Sequence, residues 1–304
     1  MRSKDLGLAL VTVTIWGLNF VFIGIALRSV PPLFLVFLRF LLTVLPAIFF
    51  VRRPQIPLRL VALYGLTMFA FQFGLLFSGM RMGVPPGLAS LVHQLQVFFT
   101  MGLAVWVFGD RPHATRWAGA AIAFLGVGLV ALHAHGDVSV AGLGVLMLGS
   151  ISWAVGNITA KRAGAVNPFA LVIWGSLLAL GPILALSLVI EGPHAIAAAL
   201  SSMSLVTAGS VAFIAYVSTL VAFSLWAALL HHYPPSTVAP FSLLVPVVGF
   251  LGSMLFLGEG MPGWKLGAAA LVLIGLGLNN FGQRLTGIVA PFFRRGTPDV
   301  VPGA

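Results

Sequence analysis

Residues 107–132, VFGDRPHATRWAGAAIAFLGVGLVAL, and residues 255–278, LFLGEGMPGWKLGAAALVLIGLGL, are two versions of one pattern. In each, an apolar run stops at a glycine followed by an acidic residue, a basic residue comes six positions later, and a second apolar run contains a Gly-x-Gly step. A pattern that recurs at a fixed distance predicts an internal repeat. The equivalent positions lie 149 residues apart: Gly109 and Gly258, Asp110 and Glu259, Arg116 and Lys265, Gly126 and Gly275, Gly128 and Gly277.

The composition around these stretches is that of a membrane protein. Of the 304 residues, 60% are hydrophobic and 7% charged, with a mean hydropathy of +1.09, whereas a soluble domain carries about a quarter charged residues. We therefore predict an all-α integral membrane protein. Since about 20 mainly apolar residues cross a bilayer as a helix, ten spans are expected: 6–27, 33–51, 59–80, 86–108, 115–133, 141–160, 168–190, 204–230, 235–257 and 264–281.

The repeat extends over most of the chain. It also relates Pro85–Pro86 to Pro234–Pro235, Trp16 to Trp153, and Pro31 to Pro168. The last two pairs are 137 residues apart, and the 12 extra residues of the later spacing fit a longer connection at 191–202. Because each half has five spans, an odd number, the second half must enter the membrane from the opposite side. The sequence thus predicts two inverted repeats, 6–133 and 141–281, and a cytoplasmic tail at 282–304.

The Lys and Arg residues indicate the orientation, because they favour cytoplasmic loops. With the N-terminus inside, twelve of the 16 fall on the cytoplasmic side, so both termini are expected to be cytoplasmic. Arg28, Arg81 and Lys265 fall on the opposite side. Arg39 lies within the second span, where we expect it to snorkel or to pair with a helix end.

Several classes of function are excluded by what the sequence lacks. There is no cysteine, and no basic cluster with interleaved aromatic residues suggests nucleic-acid binding. His133 with His135, and His231 with His232, have no carboxylate at metal-ligand spacing. Neither a nucleophile elbow, nor paired intramembrane aspartates, nor a phosphate-binding loop is present. We expect neither an enzyme nor a bound metal or cofactor.

Polar side chains near the middle of the spans are the candidate site, because such groups face a bundle interior or a wet cavity. The alternative for each single residue is a hydrogen bond to a neighbouring helix, a packing device in helix bundles. Their common depth in symmetry-related spans favours a substrate cavity. The candidates are Trp16, Asn19, Gln72, His93, Gln96, Trp153, Asn157, Tyr216 and Ser242, of which Tyr216 enters because its span should face the cavity.

Prolines and acidic residues add two further expectations. Pro46, Pro182, Pro240 and Pro246 interrupt spans and could serve as hinges or as static kinks. All six acidic residues lie at span ends or outside the spans, so none can carry a proton or sodium ion through the membrane. His93 is the intramembrane group that titrates near neutral pH, and transport is therefore either uncoupled or proton-coupled through His93.

The two quoted stretches, together with VTIWGLNFVFIGIAL at residues 13–27, resemble the EamA family of the drug/metabolite transporter superfamily, over about residues 6–281. Within it, the chain looks most like the YddG-like amino-acid exporters. The resemblance implies a basket of ten helices whose cavity is lined by spans one, three, four, six, eight and nine, with spans five and ten peripheral. Asp110 and Glu259 occupy the acidic positions of the family and are read as helix-end caps or gate contacts.

These observations lead to a bacterial inner-membrane exporter of amino acids and related metabolites that works by alternating access. Its partners would be a small-molecule substrate and the lipid bilayer, while the oligomeric state stays open. Export of nucleosides, sugars or drug-like solutes is the alternative within transporters. A non-transporting sensor or scaffold is the alternative outside them, although it would have little use for pseudo-symmetric halves.

Overall fold

The computed structural model describes residues 1–133 and 138–294, with the side chains of residues 235, 236 and 283–294 left aside. Within that part of the chain every regular element is helical, as predicted. Among the described residues, nine helices are long and apolar enough to span a membrane, and a tenth apolar helix, of 16 residues, is shorter. The first half contains α1 Ser3–Ala26, α2 Pro32–Ala47, α3 Leu58–Arg81, α4 Pro86–Phe108 and α5 Ala114–Leu132.

The second half contains α6 Val140–Ala163, α7 Pro168–Ile190, α8 Leu205–His232, α9 Ala239–Leu257 and α10 from Gly263. The ninth span, expected at 235–257, is divided into a helical turn, Pro235–Val238, and α9 from Ala239. Three further features differ from the prediction. The second span, expected at 33–51, ends as a helix at Ala47. The connection at 191–202 contains a short helix, Pro193–Ser201. The tail expected from 282 begins as a continuation of α10, which runs to Arg294, and residues 295–304 lie outside the described residues.

Proline and glycine set the helix ends in the way their backbones dictate. Pro32, Pro86 and Pro168 occupy first-turn positions, where a missing N–H costs no hydrogen bond. Gly109 and Gly258, the glycines of the repeated pattern, end α4 and α9 with φ of 69° and 67°. Since that left-handed region favours glycine, the pattern is a helix stop that delivers the next residue, an acid, at the membrane surface.

Four helices depart from regular α geometry at corresponding places in the two halves. The third helix of each half contains a π-helical segment, 66–71 in α3 and 213–221 in α8. The fourth contains a 3-10 segment, 93–95 in α4 and 239–243 in α9. Departures of this kind are found at functional sites and hinges. Pro240 lies in one 3-10 segment, but the segment in α4 contains no proline, so proline alone does not account for the pair.

Helix packing follows the same correspondence. The α1 helix packs on α8 and α9, and α6, its counterpart, packs on α3 and α4. The α2 and α7 helices pack on each other, as do α5 and α10 at the periphery. A Cβ atom at Gly119 would lie 2.5 Å from the carbonyl oxygen of Gly275, which shows how closely the backbones of α5 and α10 approach.

Candidate substrate cavity

A cavity of about 290 Å³ lies inside the bundle at the level of the non-α segments. Six of its sixteen lining residues are tryptophan or phenylalanine. Trp16 packs on Phe223 and Trp226 with ring centroids 5.4 and 5.1 Å apart, and its indole N–H donates to the Ser218 carbonyl at 3.2 Å. The lining residues are Trp16, Asn19, Phe20, Arg39, Phe73, Leu76, Ser90, His93, Gln94, Gln96, Trp153, Ser218, Phe223, Trp226, Ser242 and Val245.

Six of the nine expected substrate-binding residues line this cavity: Trp16, Asn19, His93, Gln96, Trp153 and Ser242. Two others, Gln72 and Asn157, do not line the cavity but hydrogen-bond to residues that do. The Gln72 amide donates to His93 Nε2 at 3.2 Å, and the Asn157 amide donates to Thr100 at 3.1 Å and to Gln96 at 3.4 Å. Both therefore hold cavity residues in place.

Tyr216 is not among the lining residues, and 38% of it is exposed. It lies in the π-helical segment of α8, whose register decides which side chains turn inward. On α8 the cavity instead receives Ser218, Phe223 and Trp226. A regular helix drawn through this segment from the sequence places its side chains incorrectly, because a π turn adds a residue.

His93 sits at the 3-10 segment of α4 and is 6% exposed. Its ring packs against Trp153 at 4.8 Å and Phe20 at 6.3 Å. The Nε2 atom pairs with Gln72, while Nδ1 has no hydrogen-bond partner among the described residues. Its neighbour Gln94 donates to the Ser242 carbonyl at 3.1 Å and so links α4 to α9.

Arg39 is the residue that sequence reasoning placed incorrectly. It neither snorkels nor pairs with a helix end: it is 2% exposed and lines the cavity from α2, a helix that the expected lining omitted. Its Nη2 donates to Thr219 Oγ1 at 3.0 Å. The signal was available in the sequence, because a basic residue inside a span with no acidic residue near it marks a functional position by default.

Other unpartnered polar atoms accompany it. Asn19 Oδ1, Ser218 Oγ, and Arg39 Nε and Nη1 are enclosed without a hydrogen-bond partner in the described part of the chain. Enclosed polar groups are nearly always paired, and an unpaired one costs about 1–3 kcal/mol. Their concentration around one cavity is the arrangement expected where a ligand completes the hydrogen bonds.

The two acidic residues of the repeated pattern lie at opposite ends of the bundle. Glu259 accepts from the Gly87 N–H at 3.0 Å and pairs with Lys265 at 3.1 Å, with both side chains less than one-tenth exposed. Asp110 pairs with Lys161 at 3.3 Å, and both are about half exposed. Glu259 thus caps the first turn of α4. Each of the two acids also lines a hollow, of about 430 Å³ at Glu259 and about 440 Å³ at Asp110.

The expected hinge prolines lie at different points along their helices. Pro46 is next to the last residue of α2, Pro182 is inside α7, and Pro246 is in the turn that follows the 3-10 segment containing Pro240. A larger hollow, about 700 Å³, lies between the loops 50–56 and 163–170 and contains none of the expected substrate-binding residues. The central cavity is therefore the candidate site.

Comparison with known proteins bears on these features. A family model described as the EamA-like transporter family matches residues 4–132 and again residues 140–281. A "probable amino-acid metabolite efflux pump" of Salmonella typhimurium is 43% identical over 94% of this chain and 97% of its own length. A protein of the same description from Escherichia coli K12 is 42% identical over 93% and 97%.

More distant similarities agree with the fold. An "uncharacterized inner membrane transporter" of Escherichia coli K12, YedA, is 28% identical over 86% of this chain and 84% of its own. A crystal structure of another protein superposes with a TM-score of 0.62 over 98% of this chain and 100% of that one, at 18% identity, which shows a shared fold alone. With the family model matching both halves, this chain belongs to the EamA-like transporter family.

Proposed function

We propose that this protein exports amino acids and related metabolites across the bacterial inner membrane by alternating access. The observation that carries the proposal is a cavity midway through the bundle that is lined by aromatic rings and neutral polar side chains. The printed descriptions of the relatives, amino-acid metabolite efflux pumps, support the substrate class. On the orientation given by the Lys and Arg residues, the Asp110 end is cytoplasmic, the side from which an exporter takes up its substrate.

Two inverted halves, 6–133 and 141–281, would generate the motion. Their correspondence is supported by the paired helix contacts and by the non-α segments at equivalent places. At the Glu259 end, the first part of α4 packs on the second part of α9. Exchanging the conformations of the halves would open this end and close the other, with bending at the 3-10 segments and at the prolines near them.

We further propose that transport is not proton-coupled. The groups in contact with His93 are Gln72, Trp153 and Phe20, none of which titrates near neutral pH. The charged group that shares its cavity is Arg39. Protonation of His93 would therefore add a second positive charge with no carboxylate lining the cavity, which is costly inside a membrane. His93→Gln is expected to leave the pH dependence of uptake unchanged; a flattened profile would establish coupling through His93.

Flux through purified protein in liposomes tests the export function. Saturable exchange of a radiolabelled amino acid, inhibited by a panel of other amino acids, supports the proposal. Flux of nucleosides, sugars or drug-like solutes in its place assigns another substrate class, and ligand binding without any flux contradicts transport.

A matched pair of variants connects that flux to the cavity. Trp153→Ala removes a lining ring, and the loss of aromatic packing worth about 1.4 kcal/mol raises KM about tenfold. Trp106→Ala removes a tryptophan that is 84% exposed on the outside of α4 and leaves KM unchanged. If both substitutions changed KM equally, the cavity would not be the substrate-binding site.

A further inference from the structure

We propose that Arg39 is the anion anchor of the cavity, so that a carboxylate is obligatory in the substrate while an amino group is not. The inference rests on the proposed export function and deepens it by naming the substrate class. That class is amino-acid-sized monocarboxylates: amino acids together with their N-acylated and 2-oxo derivatives, to the exclusion of amides, esters and simple amines.

The guanidinium of Arg39 is only partly hydrogen-bonded within the described part of the chain. Only Nη2 has a hydrogen-bond partner, the neutral hydroxyl of Thr219. Nε and Nη1 have none among the residues that the structure describes. The central carbon of the guanidinium lies 4.2 Å from the centre of the Phe73 ring and 5.5 Å from that of Phe40, which hold its plane without neutralising its charge. Nη2 has two N–H groups, of which Thr219 takes one. The other forms a planar fork with the N–H of Nε or of Nη1, and such a fork matches the two oxygens of a carboxylate.

Arg39 has no carboxylate counter-ion among the described residues. Each acidic side chain that the structure describes is occupied at a helix end: Asp5 by Tyr233, Asp110 by Lys161, Glu191 by the backbone N–H groups of Leu33 and Phe34, and Glu259 by Lys265 and Gly87. Asp137 and Asp299 lie outside the described residues, and the sequence assigns them to a loop and to the tail. A buried cation is normally paired with an anion, so the anion for Arg39 is expected from the substrate.

The other residues that line the cavity carry no negative charge. The lining includes residues with neutral acceptor groups, among them Asn19 and Ser218, but no carboxylate. The positive charge of Arg39 repels an ammonium group and attracts a carboxylate. A site with one cation and no anion therefore accepts a zwitterion and favours a monoanion of similar size. Aromatic rings around the anchor contact the remaining apolar part of the substrate.

The second half of the chain has no arginine at the position equivalent to Arg39. At the spacing of 137 that relates Trp16 to Trp153, Arg39 corresponds to Ser176, which is fully buried and not among the lining residues. The cavity is therefore charged on one side only, and a substrate with one carboxylate has one orientation in it.

The test uses the wild-type protein in liposomes, with exchange of radiolabelled phenylalanine as the readout. Competitors differ by one group each: phenylalaninamide lacks the carboxylate, whereas N-acetylphenylalanine and phenylpyruvate lack the ammonium. We expect the two acids to compete at least as well as phenylalanine and the amide to compete about tenfold less well or worse, because a charge-assisted bidentate pair is lost. An amide that competes as well as phenylalanine overturns the anchor.

Variants assign the selectivity to Arg39. Arg39→Gln is expected to bring the acid and amide inhibition constants to within about threefold of each other, since the neutral amide group of Gln hydrogen-bonds both, and Arg39→Lys to keep a reduced preference for the acid. Arg53→Gln, the same change at an exposed loop arginine, keeps the wild-type ratio. A wild-type ratio in Arg39→Gln contradicts the inference, because a purely structural arginine would lower the amount of active protein without moving the ratio. Should Arg39→Gln not fold, the wild-type competitor panel decides alone.

An inorganic anion is the other source of the same chemistry. Flux in a chloride-free buffer, whose only anion is a bulky sulfonate, separates the two: undiminished flux assigns the anchor to the substrate carboxylate, and a requirement for chloride overturns that assignment. Failure of this inference is distinguishable from failure of the proposed function. Flux without acid–amide discrimination refutes the anchor alone, whereas no flux of phenylalanine or of any other amino acid refutes the export function.

Discussion

The steps Gly109–Asp110 and Gly258–Glu259 have the same local sequence pattern and end their helices in the same way, yet their surroundings differ. Glu259 is enclosed, caps the first turn of α4 at Gly87 and pairs with Lys265. The corresponding partners of Asp110 would be the N–H of Ser236 and the side chain of Arg116. Asp110 instead pairs with Lys161, half exposed, beside an open hollow that Arg116 also lines.

The local sequence determines where each helix ends. The partner of the acidic residue that follows depends on the tertiary structure. Glycine in the left-handed region ends each helix whatever lies beyond it. Which group then meets the acid depends on how distant helices pack around it, and the ion pairs of Glu259 and Asp110 accordingly differ in exposure.

The largest effect is expected from breaking the enclosed pair. Glu259→Gln leaves Lys265 enclosed without an anion and should lower the free energy of unfolding by about 3 kcal/mol, seen as a fall in apparent melting temperature in detergent. Asp110→Asn, the matched change at the exposed pair, should cost less than about 1 kcal/mol. Equal shifts would show that the two ends do not differ in packing.

Cysteine labelling measures the difference between the ends directly, because the chain has no cysteine of its own. Ala104 and Ser253 are equivalent positions 149 residues apart: Ala104 lines the hollow at the Asp110 end, and Ser253 is fully buried. Ala104→Cys should react with a small maleimide about tenfold faster than Ser253→Cys, since the latter must wait for an opening that costs about 1.4 kcal/mol. Similar rates would mean that both ends are open or both closed.

Transport should need Asp110 even though stability does not. If the halves exchange conformations, Asp110 caps the helical turn Pro235–Val238 as Glu259 caps α4, an interaction of about 0.7 kcal/mol when the charge is lost. Asp110→Asn should therefore slow turnover about threefold with little change in melting temperature. Unchanged turnover per folded transporter would argue that this cap does not form.

The smallest effect is expected at Lys161. It contacts Asp110 and lies 4.1 Å from the centre of the Phe108 ring, but it is exposed. Lys161→Met should change the free energy of unfolding by no more than about 0.5 kcal/mol, whereas Lys265→Met, at the enclosed pair, should cost several times as much. Thermal melts of the two variants in parallel check this, and a large effect at Lys161 would make the exposed pair a structural contact.

Much of the fold followed from the sequence. Ten apolar segments predicted ten helices, because a backbone in lipid must satisfy its own hydrogen bonds. Tryptophan, amides and histidine near mid-span predicted the level of the cavity, and six of the nine residues named for it line its wall. The errors came from elements whose geometry is not regular: Tyr216 lies in a π-helical segment, and a long connection formed a short helix of its own.

The sequence by itself determined the number of apolar segments and the approximate bounds of most of the long helices, since hydropathy, proline and glycine act over a few residues. Only the tertiary structure decided that Arg39 is enclosed beside the cavity and that Glu259 and Asp110 have different surroundings. Enclosure and ion pairing are properties of neighbours brought together from distant parts of the chain. Identical local patterns can therefore have different partners in one molecule.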